Sequence, residues 1–139
     1  MTVYAQHSFS IRTNGRSLVE ITEELKTYVA DSNIESGLAH VFCQHTSASL
    51  LITENADSTV LGDLETIFAR LAPDGDPEYR HNYEGDDDMA AHVRSALTSN
   101  DLSIPIIDKR LALGTWQGVF LWEHRYQGRD RNIILSLTS

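Results

Sequence analysis

The chain has a single cysteine, three prolines, few basic residues and no long hydrophobic run. Cys43 stands alone, so neither an internal disulfide nor a cysteine-based zinc site can form. Its place in the apolar run 38–43 marks it as a packing residue rather than a reactive thiol. No apolar stretch approaches the roughly 18 residues that a transmembrane helix needs. Residues 1–12 alternate polar and apolar and lack the basic start and apolar centre of a secretory signal, so a cytoplasmic protein is expected. Lys and Arg number 11 against 20 Asp and Glu, a formal net charge of -9. That balance repels phosphate backbones and argues against nucleic acid as a partner, while leaving room for a small anion at a local site.

What is present is ordinary for a soluble protein: 139 residues, 41% hydrophobic and 22% charged. One domain spanning residues 1–139 is expected, burying roughly two thirds of its unfolded surface. Val3, Ala5, Phe9 and Ile11 alternate with polar residues and predict a half-buried strand; His7 shares their side and reads as a packed or edge histidine. Ser17 followed by Glu20 has the form of a capping box, and Leu18, Ile21, Leu25, Tyr28 and Val29 predict a first helix over 18–30. Strands are expected at 38–43 and 49–53. Asp57 or Ser58 would cap a second helix with Val60, Leu61, Leu64, Ile67, Phe68 and Leu71 on its apolar face, ended by Pro73.

A long polar loop follows, containing His81. Asp86, Asp87 and Asp88 then precede Met89, Val93, Ala96 and Leu97 at helical spacing, which predicts a third helix with acidic residues favouring its dipole. Pro105 confines the apolar segment 102–107 to an edge or bulge position. Segments 116–122 and 132–137 read as closing strands. Interspersed strands and helices imply a mixed α/β or α+β domain.

Between the two strands at 38–43 and 49–53 lies a polar centre, residues 44–49, without Gly or Pro. Surface turns usually carry such residues, so this centre is expected to present His45 and the Thr46, Ser47 and Ser49 hydroxyls to a ligand. His45, His81 and His92 could together hold a divalent metal such as zinc with an open position for a ligand. Their spacing alone does not require one. Glu123 could act as a general base or orient a histidine, or be an exposed strand glutamate. Arg125, Arg129 and Arg131 form the one local basic cluster and could hold a phosphate or carboxylate, or balance an acidic surface.

His45-Thr-Ser-Ala-Ser49 with Glu54-Asn55, then Tyr83-Glu-Gly with His92, then Leu113-Gly-Thr-Trp-Gln117 with Glu123, resemble the YjbQ family, also called the secondary thiamine-phosphate synthase family. The likeness covers nearly the whole chain. His81-Asn-Tyr-Glu-Gly-Asp-Asp-Asp-Met89 and Trp122-Glu-His-Arg125 are similar to the enterobacterial branch. The resemblance implies an α+β fold, antiparallel or mixed sheets in a sandwich-like core with about three packed helices, assembled as a homotrimer. It implies a weak thiamine-phosphate synthase activity, joining a pyrimidine diphosphate to a thiazole phosphate with loss of pyrophosphate. A non-catalytic homotrimer that binds a small phosphorylated metabolite or anion is the alternative. Carried over by motif, His45, His81 and His92 would be metal ligands and Glu123 and His45 catalytic. Thr46, Ser47, Asn55, Trp116, Gln117 and Arg125 would bind substrate. Where many members continue Glu-x-Asp-Gly-Pro-Arg, this chain has Glu123-His-Arg-Tyr-Gln-Gly-Arg129, which makes His124 and Arg125 candidates for a branch-specific contact.

Overall fold

A computed structural model describes residues 3–139. Its strands are β1 (Tyr4–Arg12), β2 (Ser17–Glu20), β3 (Ser36–Cys43), β4 (Ala48–Glu54), β5 (Asp101–Ile107), β6 (Arg110–Leu111), β7 (Gln117–Glu123) and β8 (Asp130–Thr138). Its helices are α1 (Thr22–Ser32), α2 (Thr59–Leu71) and α3 (Asp88–Leu97). Two sheets form, one ordered β1-β8-β3-β5-β6 and one ordered β2-β7-β4, and each strand pair is antiparallel. The α+β expectation holds. No helix among the described residues is long and apolar enough to cross a membrane.

The period-two reading of the N-terminus is correct: Ala5, His7, Phe9 and Ile11 turn inward on β1. His7 stacks on Tyr28 with ring centroids 4.3 Å apart, so it is a packing histidine. Inward residues of β3, β5 and β8, among them Val41, Ile104 and Leu135, meet Leu25 and Val29 of α1 and Leu50, Val119 and Leu121 of the smaller sheet in one core. Cys43 belongs to this core, and burial pushes its thiol up to about 11, so it is an inert packing residue at neutral pH.

The capping box at Ser17 does not exist. Residues 17–20 form β2, whose backbone pairs with β7 in the register Ser17↔Glu123 to Glu20↔Phe120. Local helical spacing loses here to a sheet edge that offers the segment a partner strand. Helix α1 begins only after Ile21, and Glu20 instead accepts a hydrogen bond from Thr22 Oγ1 at 2.8 Å.

Segment 116–122, read as a closing strand, is the centre of the smaller sheet. Every residue of β7 after Gln117 is buried because one face meets the core while Trp122 on the other meets Phe68 of α2 at 4.7 Å between centroids. Helix α2 lies where its periodicity places it, and Asp57 Oδ1 accepts from Thr59 N at 3.0 Å at its start. Yet none of its residues is fully buried, and Ile67 and Leu71 are 48% and 58% exposed.

Helix α3 corrects the expected apolar face. Its buried residues are Asp88, Ala90, Ala91 and Arg94, whereas Leu97 is 56% exposed. Alanines allow close approach, and the two buried charges are paired: Arg94 donates to Glu65 at 2.9 Å, and Asp88 accepts from Arg125 at 2.8 Å.

Candidate metal and anion cleft

Residues 44–47 are a crossover from one sheet to the other, since β3 lies in the larger sheet and β4 in the smaller. This explains a turn-like segment without turn residues. Its path is set by hydrogen bonds from outside, Gln44 N to Asn132 O at 3.2 Å and His124 N to Ser47 O at 3.2 Å. Beside it the loop ahead of α3 delivers His81, the first turns of α3 deliver Asp88 and His92, and the β7–β8 connection delivers Arg125 and Arg129. Together they line an open cleft of about 490 Å³.

Within the cleft, His81, Asp88 and His92 each turn a ligand atom to a common point, all within 4.8 Å of one another. Asp88 and His92 are one helical turn apart on α3, the i,i+4 spacing that places both on one face. The imidazoles of His81 and His92 meet edge to face, 5.1 Å between centroids. Nε2 of His81 stands 2.8 Å from Oδ2 of Asp88. That oxygen is buried without a hydrogen-bond partner, so the short approach lacks hydrogen-bonding alignment. Nε2 of His92 stands 3.7 Å from the other oxygen, Oδ1. A divalent cation would satisfy the buried Oδ2, and the donor set of two His and one carboxylate suits zinc or another first-row metal.

His45 shares the cleft but stands outside this ligand group. Its Nε2 accepts the backbone N–H of Asn132 at 2.7 Å, which assigns the proton to Nδ1 and occupies the lone pair that a metal at Nε2 would need. The expected three-histidine set is therefore two histidines and Asp88. Burial and then the nearby Arg131 charge lower the His45 pKa, favouring the neutral ring. Sequence reasoning assigned Asp88 to the helix dipole; its i,i+4 relation to His92 was the signal that could have found it.

Glu123 is fully buried beneath the cleft. Its Oε1 accepts from Thr13 Oγ1 at 2.7 Å and Arg131 Nε at 2.8 Å, and its Oε2 accepts from Arg125 N at 3.1 Å and from Arg131 Nη2. Burial alone would raise its pKa, but the bonds from Arg131 and Thr13 outweigh it and hold the carboxyl below the ordinary range. A buried carboxylate whose donors hold it ionised at neutral pH is poorly placed to take up a proton there, so Glu123 positions Arg131 instead. Arg131 in turn ties down Ser47 through its carbonyl at 3.1 Å and its hydroxyl at 3.0 Å.

Arg125 is also engaged internally. Its Nε donates to Asp87 at 2.9 Å, Nη1 to Asp88 Oδ1 at 2.8 Å and Nη2 to the Glu84 carbonyl at 2.8 Å. These contacts make it the support of Asp88 rather than a free anion binder, correcting the sequence expectation. Arg129 lines the cleft and forms no ion pair with a described carboxylate, which leaves its charge for a ligand. Thr46 is exposed at the rim.

Asn55, Trp116 and Gln117 do not join this site. Ala48 pairs with Glu123 and Glu54 with Gln117, so they lie at the far end of β4 and β7, about 20 Å away at the usual strand rise. His124 is buried too: its Nε2 meets Ser49 Oγ at 2.8 Å, and burial followed by the charges of Arg94, Arg16 and Arg131 lowers its pKa to about 3.

The family model described as UPF0047 protein YjbQ-like matches residues 7–139. The chain belongs to the YjbQ family. A UPF0047 protein of Synechocystis is 50% identical over 133 residues, covering 96% of this chain and 90% of that protein. The YjbQ protein of Escherichia coli O157:H7 is 40% identical over 136 residues, covering 97% and 98%. Among solved YjbQ structures, one from Clostridium acetobutylicum has a TM-score of 0.86 at 33% identity, covering 94% of this chain and 98% of that one. A YbjQ-like protein of unknown function from Sulfolobus solfataricus has a TM-score of 0.91 at 22% identity, covering 100% and 99%, a likeness of fold.

Proposed function

We propose that this member of the YjbQ family is a small-molecule enzyme whose cleft holds a divalent metal at His81, Asp88 and His92 and a phosphorylated substrate beside it. The observation that carries the reading is the convergence of ligand atoms from His81, Asp88 and His92, with Asp88 Oδ2 buried and lacking an aligned hydrogen bond although His81 Nε2 stands 2.8 Å away. The reaction we assign is the joining of a pyrimidine diphosphate to a thiazole phosphate with loss of pyrophosphate. When bound, the metal would supply positive charge to phosphate oxygens.

The chain's own residues supply the remainder. Arg129 offers a charge to the departing pyrophosphate, an electrostatic role that grows as the leaving group gains charge. His45, with Nε2 held by Asn132, offers Nδ1–H as a hydrogen-bond donor. Thr46 adds a rim hydroxyl. Glu123 and Arg131 keep Ser47 and the crossover in place and take no part in proton transfer.

Metal analysis of the purified protein beside His81→Ala and His92→Ala variants tests the centre: the variants should lose metal that the parent retains, and equal content would remove it. A product assay with the two phosphorylated substrates tests the reaction. Saturable binding without product would instead favour a non-catalytic metabolite-binding protein. We also propose a homotrimer, supported by the incompletely covered apolar residues Ile67, Leu71 and Leu97 on α2 and α3.

A further inference from the structure

A second cleft, of about 530 Å³, opens at the opposite end of the smaller sheet, where Asn55 and Gln117 lie. Three of its lining residues are cationic, Lys26, Lys109 and Arg110, and none is acidic. In a chain of net charge -9 that lining is a local concentration of positive charge. Asp108, next in sequence, lines the neighbouring groove rather than this cleft. Lys26 has one acidic neighbour, Glu23 at 3.6 Å, on an exposed helix surface where such pairs are weak. Neither Lys109 nor Arg110 forms an ion pair among the described residues.

The backbone gives an independent reason to single out Lys109. Asp108 and Lys109 form the tight connection between β5 and β6 with φ of 51° and 66°, both left-handed. Such two-residue hairpin turns favour Asn-Gly, and a lysine at the second position carries a steric penalty that glycine would avoid. The turn is held regardless, because Lys109 N donates to the Glu35 carbonyl at 3.1 Å. The strained position sets a cation in the lining of the cleft.

The rest of the lining is uncharged. Leu111 and Leu113 supply apolar surface. Gln117 Oε1 accepts Gly114 N at 2.8 Å, which orients the side chain and leaves its amide hydrogens to donate. Asn55 donates to the Gln117 carbonyl at 3.3 Å, leaving its own amide oxygen to accept.

We infer that this cleft is a second binding site, specific for a small organic phosphate whose apolar body rests on Leu111 and Leu113 and whose anionic head meets Lys26, Lys109 and Arg110. Guanidinium and ammonium donors in the lining select the dianion, and the leucine surface selects an organic ester over inorganic phosphate. The site is separate from the His81–Asp88–His92 cleft, so it holds whether or not that cleft binds metal.

Phenyl phosphate serves as probe, with phenol as its neutral counterpart and inorganic phosphate as its headgroup alone, each titrated into the full-length ¹⁵N-labelled protein. Phenyl phosphate should shift the Gly114 and Thr115 amides saturably and more tightly than either fragment. The Lys109→Gly, Arg110→Gln double variant should weaken that binding by at least about tenfold, the scale of lost charge-assisted contacts. Glycine suits the left-handed position, so this variant retains the turn, and thermal unfolding checks that it folds. No saturable shift at millimolar probe, shifts confined to the His81 cleft, equal binding of phenol, or unchanged affinity in the folded double variant would each overturn the inference.

Discussion

The guanidinium of Arg125 donates to Oδ1 of Asp88 at 2.8 Å and leaves Oδ2, the oxygen facing His81, without a hydrogen-bond partner. One oxygen is fixed and the other presented. The same guanidinium holds Asp87, whose carboxylate also accepts Tyr126 N at 2.8 Å, so the start of α3 is fastened to the β7–β8 connection.

Replacing Arg125 by methionine should therefore reduce metal affinity by about 10- to 100-fold, as loss of a ligand's supporting partner does. Isothermal titration with zinc against the parent measures it. Unaltered affinity would show that Arg125 does not orient Asp88. The variant also leaves two buried carboxylates without their cation, so its unfolding midpoint should fall in parallel.

Glu123→Gln should destabilise the protein by roughly 3–5 kcal/mol, because Arg131 would remain buried without its counter-charge. Urea unfolding measures the loss. The folded-state pKa of Glu123 is depressed, so its contribution is fully present above the pKa of an unfolded glutamate and is lost as pH falls through the lower folded value. The parent should lose stability on acidification below about pH 4, and the variant less steeply. A variant as stable as the parent, yet inactive, would restore a catalytic role to this residue.

His124 should remain neutral in the folded protein through the mildly acidic range, since its pKa lies at about 3 while an unfolded histidine protonates near the ordinary value. The unfolded state then binds the extra proton, so stability falls as pH drops from about 6.5 toward the folded value. Carbon-13 shifts of its ring, followed from pH 8 to 5, should be flat. A titration in that interval would mean that the ring is solvated or paired with an acid in solution.

If the proposed trimer packs through α2, charge placed at Ile67 and Leu71 should separate its subunits without unfolding them, as these residues are 48% and 58% exposed in the single chain. An Ile67→Glu, Leu71→Glu variant run in an analytical ultracentrifuge should sediment as a smaller species than the parent while keeping its circular dichroism. A parent that sediments as a monomer would overturn the proposed trimer, and equal sedimentation of an oligomeric parent would remove α2 from its boundary.

Elements whose burial follows their own periodicity were legible in the sequence. The β1 strand and the strands flanking residues 44–47 occupy their expected places, and His7 and Cys43 pack as their apolar surroundings foretold, whereas α2 has its expected span but leaves Ile67 and Leu71 of its apolar face exposed. Their signals are local, because the side-chain repeat fixes which face is covered. Residues 17–20 show where locality fails: a capping-box spelling became a strand because β7 offered a neighbour distant in sequence.

Motifs spread along the chain were enough to assign the family and to identify a pool of histidines, arginines and carboxylates able to do chemistry. Which of them meet was set by the folded chain. It joined His81 and His92 to Asp88, turned His45 to Asn132, and consumed Glu123 and Arg125 in buried ion pairs. It also separated Asn55 and Gln117 from the cleft by the length of a strand. The reason is that a charged group's role depends on what neutralises it, and those neighbours lie up to dozens of residues away, as with Arg125 and Asp88.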